Sequence, residues 1–179
     1  LIGVNHLEGH IASAWLNEQN RNAWQFPLLV LSVSGEHSQL VLVKGSCRYQ
    51  VIGQTRDDAV GEAFDKVAVM LGLPYPGGPE IEKLASQGTL GKYLFKAGVV
   101  KNNPWSFSFS GLKTNVLYTL KGQNSDKEAP LMLAPEEIPH IATAFQEAAL
   151  QAIVQKALAA ADHFECKMIF LGGGVTQNK

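Results

Sequence analysis

Cysteine is scarce in this chain: Cys47 and Cys166 are the two present in 179 residues. They stand far apart and outside any CxxC spacing, which argues against a disulfide framework or a thiolate metal site and makes reduced, cytosolic thiols the expectation. Long apolar runs are also missing, none approaching the ~18 residues of a membrane span, so no membrane association and a cytoplasmic location are expected. Charge of one sign is lacking too. Fifteen Lys and Arg face sixteen Asp and Glu, a net charge of −1; the surface is not coated in phosphate-binding lysines, although a local basic patch fits that balance. The chain begins at Leu1, inside a strand-like LIGV, and stops at Lys179 just past a glycine loop. Such ends are expected of a piece of a longer protein, which leaves any targeting signal outside this reading.

What is present describes a folded α/β chain. Hydrophobic residues make up 46% and charged residues 17%, and the length suits one domain or two small lobes. The organising stretch is Asp57 to Glu80. Ala63, Val67, Met70 and Leu71 recur at helical spacing and predict a buried face, with Asp65 well off that stripe. Pro74 stops the helix, and Pro76-Gly77-Gly78-Pro79 predicts a rigid bend whose backbone a ligand can approach closely. A solvent-side carboxylate and a bare Gly-Gly backbone suit a sugar hydroxyl or a nucleotide. The same pattern also fits a surface helix with an ordinary proline–glycine loop.

From the start of the chain, Leu1–Val4 reads as a strand and Asn5 as a helix cap. His6 and His10, four apart on the helix that follows, project from one face as a metal-binding pair would. They equally fit two partly exposed histidines at a helix start, and a metal would need a third ligand from elsewhere. Glu8 points to another face, and H-x-E-x-H is not the zinc-protease H-E-x-x-H. Pro27 marks a lobe boundary. LLVLSVSGEHSQLVLVKG reads as a hairpin around Ser34-Gly35-Glu36-His37, a tight turn that could offer outward N–H groups and hydroxyls to an anion, with Glu36 working against it. Phe107 and Phe109 alternate with serines, as in a short half-buried strand, and lead into a helix bearing an exposed Lys113. Ser125–Pro135 is a polar linker. A long helix over Glu136–His163 should bury Ile141, Phe145, Ala149, Ile153 and Ala157. Lys167–Leu171 reads as a buried-type strand running into Gly172-Gly173-Gly174, a usual place for α/β folds to seat a nucleotide.

In order, NHLEGH, VSGEHSQL, DDAVGEAFDKVA…LGLPYPGGP, FSFSGLKT and GGGVTQN cover nearly the whole chain. Together they resemble the tRNA threonylcarbamoyladenosine transferase family, formerly called O-sialoglycoprotein endopeptidases. The resemblance implies the actin-like, sugar-kinase-like (ribonuclease-H-like) two-lobed ATPase fold, with residues 1–26 the end of lobe one and 27–179 most of lobe two. It implies transfer of a threonylcarbamoyl group from threonylcarbamoyl-AMP to the exocyclic amine of the adenosine beside the anticodon, in tRNAs reading codons that begin with A. It further implies one divalent metal, iron or zinc, on His6 and His10, with an aspartate beyond this chain as third ligand. Ser32, Val33, Ser34, Gly35 and Glu36 match the family's phosphate-proximal hairpin, and Asp65, Gly78 and Asn178 match positions that hold the adenylate. The implied partners are tRNA, a paralogous scaffold protein and a small ATPase. Glycine is the family's usual residue where Glu36 stands. A non-catalytic scaffold of the same fold and a metallopeptidase are the alternative readings; the histidine pair argues against the first, and the lack of H-E-x-x-H against the second.

Overall fold

The computed structural model describes residues 3, 6–13, 24–123 and 129–178, the side chains of Leu7, His10 and Ser13 excepted. The expected Leu1–Val4 strand, apart from Gly3, and the Asn5 cap lie outside these residues. Alternating β-branched and aliphatic residues build the centre. Strands β1 (Leu28–Val33), β2 (Ser38–Gly45) and β3 (Arg48–Gln54) form an antiparallel meander. Val33 pairs with Ser38 across the Ser34–His37 turn, so the hairpin lies where the sequence places it. Strand β4 (Met168–Gly172) runs parallel to β1 and completes a mixed sheet of order β3-β2-β1-β4. Every residue of β1 is buried, as expected of a strand covered on both faces.

Helices α2 (Val60–Met70), α3 (Gly77–Ala85), α4 (Ser110–Lys121) and α5 (Ile138–His163) pack on one side of this sheet. Ile141, Phe145, Ala149, Ile153 and Ala157 are all buried, as the helical period predicts. They share a core with Leu29, Leu31, Val33, Leu40 and Leu42, and Phe64 of α2 meets the Phe145 ring edge-on at 4.9 Å. The alternate residues Leu28, Val30, Val41 and Val43 face the other way and pack against Ile11 of α1 (His6–Ser13) and Trp24.

Four expectations are corrected. Gly77 and Gly78 do not sit in a bend; they open α3, after an extended Pro76, and Pro79 is tolerated in the first turn because its missing N–H would have no helical partner. Phe107 and Phe109 are both fully buried, and the segment forms a single bridge, Thr55 to Phe107, rather than a strand. Lys113 is not a free surface lysine: its Nζ lies 2.6 Å from Asp58 Oδ2. Strand β4 is not buried throughout, since Ile169 and Leu171 are exposed.

Two adjacent carboxylates explain the second and third corrections. Asp57 accepts hydrogen bonds from Ser108 Oγ (2.6 Å), Phe109 N (2.8 Å), Ser110 N (3.2 Å) and Ser110 Oγ (2.8 Å). Backbone amides that a strand would share with a neighbour are spent on this side chain, and the first N–H of α4 is capped by it. Asp58 accepts from Lys66 and Lys113 on α2 and α4. Partial burial pushes both carboxyls up, but these donors outweigh it and hold both below the ordinary aspartate range. Folded-state values lowered in this way stabilise the fold above about pH 4, the unperturbed aspartate value, and the contribution is lost as pH falls through the lower folded-state values. Asp57→Ala should therefore destabilise the chain by about 2 kcal/mol at neutral pH. Denaturant unfolding of variant and wild type should show that difference shrinking in acid; a pH-independent difference would contradict the clasp.

Candidate functional site

Helix α2 carries the site because its N-terminus is closed by the hairpin. Ser38 Oγ accepts the Val60 N–H (2.9 Å) and the Ser34 carbonyl accepts the Gly61 N–H (3.2 Å). Only glycine fits at 61, since a Cβ there would lie 2.6 Å from Ser34 O and 2.7 Å from Gly35 Cα. One turn on, Asp65 Oδ1 accepts the Gly77 N–H at 2.8 Å. The carboxylate thus caps α3 from a neighbouring helix and fixes its own orientation. Here too a glycine is required: a Cβ on Gly77 would meet Ala68 Cβ at 2.6 Å and Asp65 Cα at 2.8 Å.

Between these elements lies a cavity of about 330 Å³, the small end of the range for ligand pockets and the scale of one nucleoside. Gly61, Phe64 and Asp65 form its floor, Tyr75, Pro76, Gly78, Pro79 and Glu82 one wall, and Gly174, Val175, Gln177 and Asn178 the other, with Gly35 at the hairpin tip. Asp65, Gly78, Asn178 and Gly35 therefore come together from four separate stretches of sequence. Asn178 Nδ2 donates to Gln146 at 3.0 Å, while its Oδ1 is buried with no partner among the described residues. Gly78 has nothing within 4 Å of where a Cβ would stand. The lining carries two carboxylates, Asp65 and Glu82, so it favours hydroxyl and amine donors over a phosphate.

The rest of the expected hairpin set is placed differently. Ser32 and Val33 are buried in β1 at 2% and 3% exposure and do not line the cavity. Ser34 Oγ accepts from the Glu36 and His37 amides, and Ser34 N donates to the His37 carbonyl. The turn thus consumes most of the N–H groups that an outward anion nest would need, leaving that of Gly35 at the tip. Glu36 is exposed and does not line the cavity.

Helix α1 places His6 and His10 one turn apart, though the His10 side chain lies outside the described residues. The His6 ring is 6.3 Å, centroid to centroid, from that of His37 on the hairpin. An imidazole is a donor suited to transition metals; among the described residues no group of three His, Cys, Asp or Glu comes together. Also among these residues, no helix is long and apolar enough to cross a membrane.

A family model described as tRNA N6-adenosine threonylcarbamoyltransferase, TsaD, matches residues 1–179. The chain belongs to the TsaD family. Proteins of that name from Protochlamydia amoebophila (strain UWE25) and Chlamydia felis (strain Fe/C-56) are 52% and 47% identical, over 99% and 100% of this chain and 51% of each relative. The chain spans about half the length of the curated relatives it matches.

In this TsaD chain, sequence reasoning missed Gly61, Ser38, Tyr75, Glu82 and the Asp57–Asp58 clasp. Glu82 was findable, one turn beyond Gly78 on the same helix face once α3 is known to start at Gly77. The contacts of Gly61 and Ser38 span the hairpin and α2 and carry no local signal. The two neighbouring glycines should separate structure from binding. Gly77→Ala should cost about 1–3 kcal/mol by overpacking α2 against α3. Gly78→Ala should leave stability unchanged or raised by up to ~1 kcal/mol while its methyl intrudes on the cavity and weakens nucleoside binding. Thermal unfolding beside nucleotide titration checks both; equal behaviour of the two variants would contradict the geometry.

Proposed function

We propose that this chain supplies the adenylate-binding part of a tRNA threonylcarbamoyl transferase. The observation that carries this reading is the convergence of Asp65, Gly78, Asn178 and Gly35 on one nucleoside-sized cavity in a chain of the TsaD family. Asp65, already anchored by Gly77 N–H, has acceptor capacity left for ribose hydroxyls, with Glu82 beside it. Asn178 Oδ1 accepts an N–H or O–H of the nucleoside and so gains the partner it lacks. Gly78 lets the ligand lie against bare backbone, and the exposed Tyr75 ring at the rim offers a face to the base. The acidic lining directs the phosphate out of the cavity toward Gly35 N–H at the hairpin tip. Ser32, Val33 and Ser34 serve by holding that tip in place, and Glu36 stays on its solvent side.

The reaction is acyl transfer. The adenosine amine of tRNA attacks the carbonyl carbon of threonylcarbamoyl-AMP, a C–N bond forms, the C–O bond to phosphate breaks, AMP leaves with the electron pair, and the amine gives up a proton. The chain's residues contribute by orientation, fixing the adenylate so that the carbonyl faces the incoming amine. His6 and His10 would hold a divalent metal, iron or zinc, with a third ligand beyond this chain; bound there, it supplies Lewis-acid polarisation of carbonyl or phosphate oxygens. The same reading carries the two-lobed actin-like fold with its boundary near residue 26, tRNA as substrate, a paralogous scaffold and a small ATPase as partners, and a cytoplasmic setting.

In the whole protein, Asp65→Ala should weaken threonylcarbamoyl-AMP about 10- to 100-fold by calorimetry, the loss of one or two hydrogen bonds to a charged group. His6→Ala should lower bound metal and abolish transfer to tRNA while AMP affinity persists. Undiminished transfer by both variants would refute the assignment.

A further inference from the structure

The α1 side of the sheet changes character at its last level before the hairpin turn. Farthest from the turn, Val43, Leu28 and Met168 lie abreast in β2, β1 and β4, and the next level holds Val41, Val30 and Phe170. With Ile11 of α1 these residues make the smaller apolar core. One level nearer the turn, the row is Gln39, Ser32 and Gly172. Strand alternation keeps Gln39 and Ser32 on the face of Val41 and Val30, and both are buried, at 4% and 2% exposure. The row therefore offers an amide, a hydroxyl and no third side chain. It is buried and polar, at the end of the sheet nearest the hairpin turn that carries His37, whose ring lies 6.3 Å from that of His6.

Gln39 Nε2 is buried and, among the described residues, has no hydrogen-bond partner. A buried amide without a partner costs free energy that an aliphatic side chain of similar size would avoid. Its neighbours along β2 on this face, Val41 and Val43, are aliphatic. The nucleoside cavity lies on the other side of the hairpin, against α2 and α3, with Gly35 at the tip between the two. A ligand with its nucleoside in that cavity and its phosphate at the tip would extend its remaining group toward α1.

We infer that Gln39 is an acyl-binding residue, its side-chain amide donating to an oxygen of the acyl half of the substrate between the first turn of α1 and the end of the sheet. This rests on the threonylcarbamoyl-transfer reading above. A residue kept polar for a ligand should be a burden when the ligand is absent, whereas a residue kept for structure should be missed whenever it is removed.

The test uses the whole protein, wild type, Gln39→Leu and Gln39→Glu, titrated calorimetrically with AMP and with a non-hydrolysable threonylcarbamoyl-AMP analogue, beside melting curves and metal content. Gln39→Leu should melt at the same or a higher temperature without ligand, bind AMP and metal as wild type does, and bind the analogue about tenfold more weakly. Gln39→Glu, which replaces the donor by an acceptor of the same shape, should lose the analogue at least as severely. The inference is overturned by unchanged analogue affinity in both variants, by equal loss of AMP and analogue, or by a lowered melting temperature or metal content in Gln39→Leu. Wild-type protein that binds AMP but gains nothing from the acyl group would instead refute the transferase reading, and this inference with it.

Discussion

The hydrogen bond from Gly77 N–H to Asp65 Oδ1, 2.8 Å long, joins the two helices on which the cavity is built. A carboxylate at a helix N-terminus satisfies an orphan amide and the positive end of the helix dipole together, and here it comes from the neighbouring helix. The contact is possible only because position 77 has no side chain. The same logic repeats at Gly61, where α2 approaches the hairpin too closely for any Cβ. Two absent side chains thus set the spacing of hairpin, α2 and α3, and the cavity is the space that remains.

Around that frame, rigidity and readiness are divided between different polar groups. Asp57 accepts four hydrogen bonds and Asp58 two ammonium groups, and both serve the fold. Among the described residues Asn178 Oδ1 and Gln39 Nε2 are buried without partners, the first on the α2–α3 side of the hairpin and the second on the α1 side. A folded chain normally pairs its buried polar atoms, so orphan atoms flanking one turn point to a ligand that spans it. Stability and binding are therefore separable here by mutation.

Much of this was legible in the sequence wherever a period or a turn signal decides the structure. The hairpin, the buried stripe of α5 and the apolar face of α2 follow from spacing alone, and Asp65, Gly78 and Asn178 could be matched to a family pattern. Legibility failed where a distant side chain replaced a local partner. Pro76–Pro79 reads as a bend because nothing nearby caps a helix there; Asp65, twelve residues back, provides the cap. Phe107 and Phe109 read as a strand because the Phe109 amide was not known to belong to Asp57, fifty-two residues away. Lys113 reads as solvated because Asp58 is fifty-five residues away. The hairpin residues 32–36 show the converse: a family pattern marks a whole turn, while the structure separates Gly35, which lines the cavity, from Ser32 and Val33, which are buried in β1.

The most direct measurement is a crystal structure of the whole protein with a non-hydrolysable threonylcarbamoyl-AMP analogue. The ribose should lie on Asp65, the nucleoside between Gly78 and Asn178, the phosphate at Gly35, and the acyl group across the hairpin toward His6. An adenosine bound anywhere other than the cavity between α2, α3 and residues 174–178 would contradict that placement.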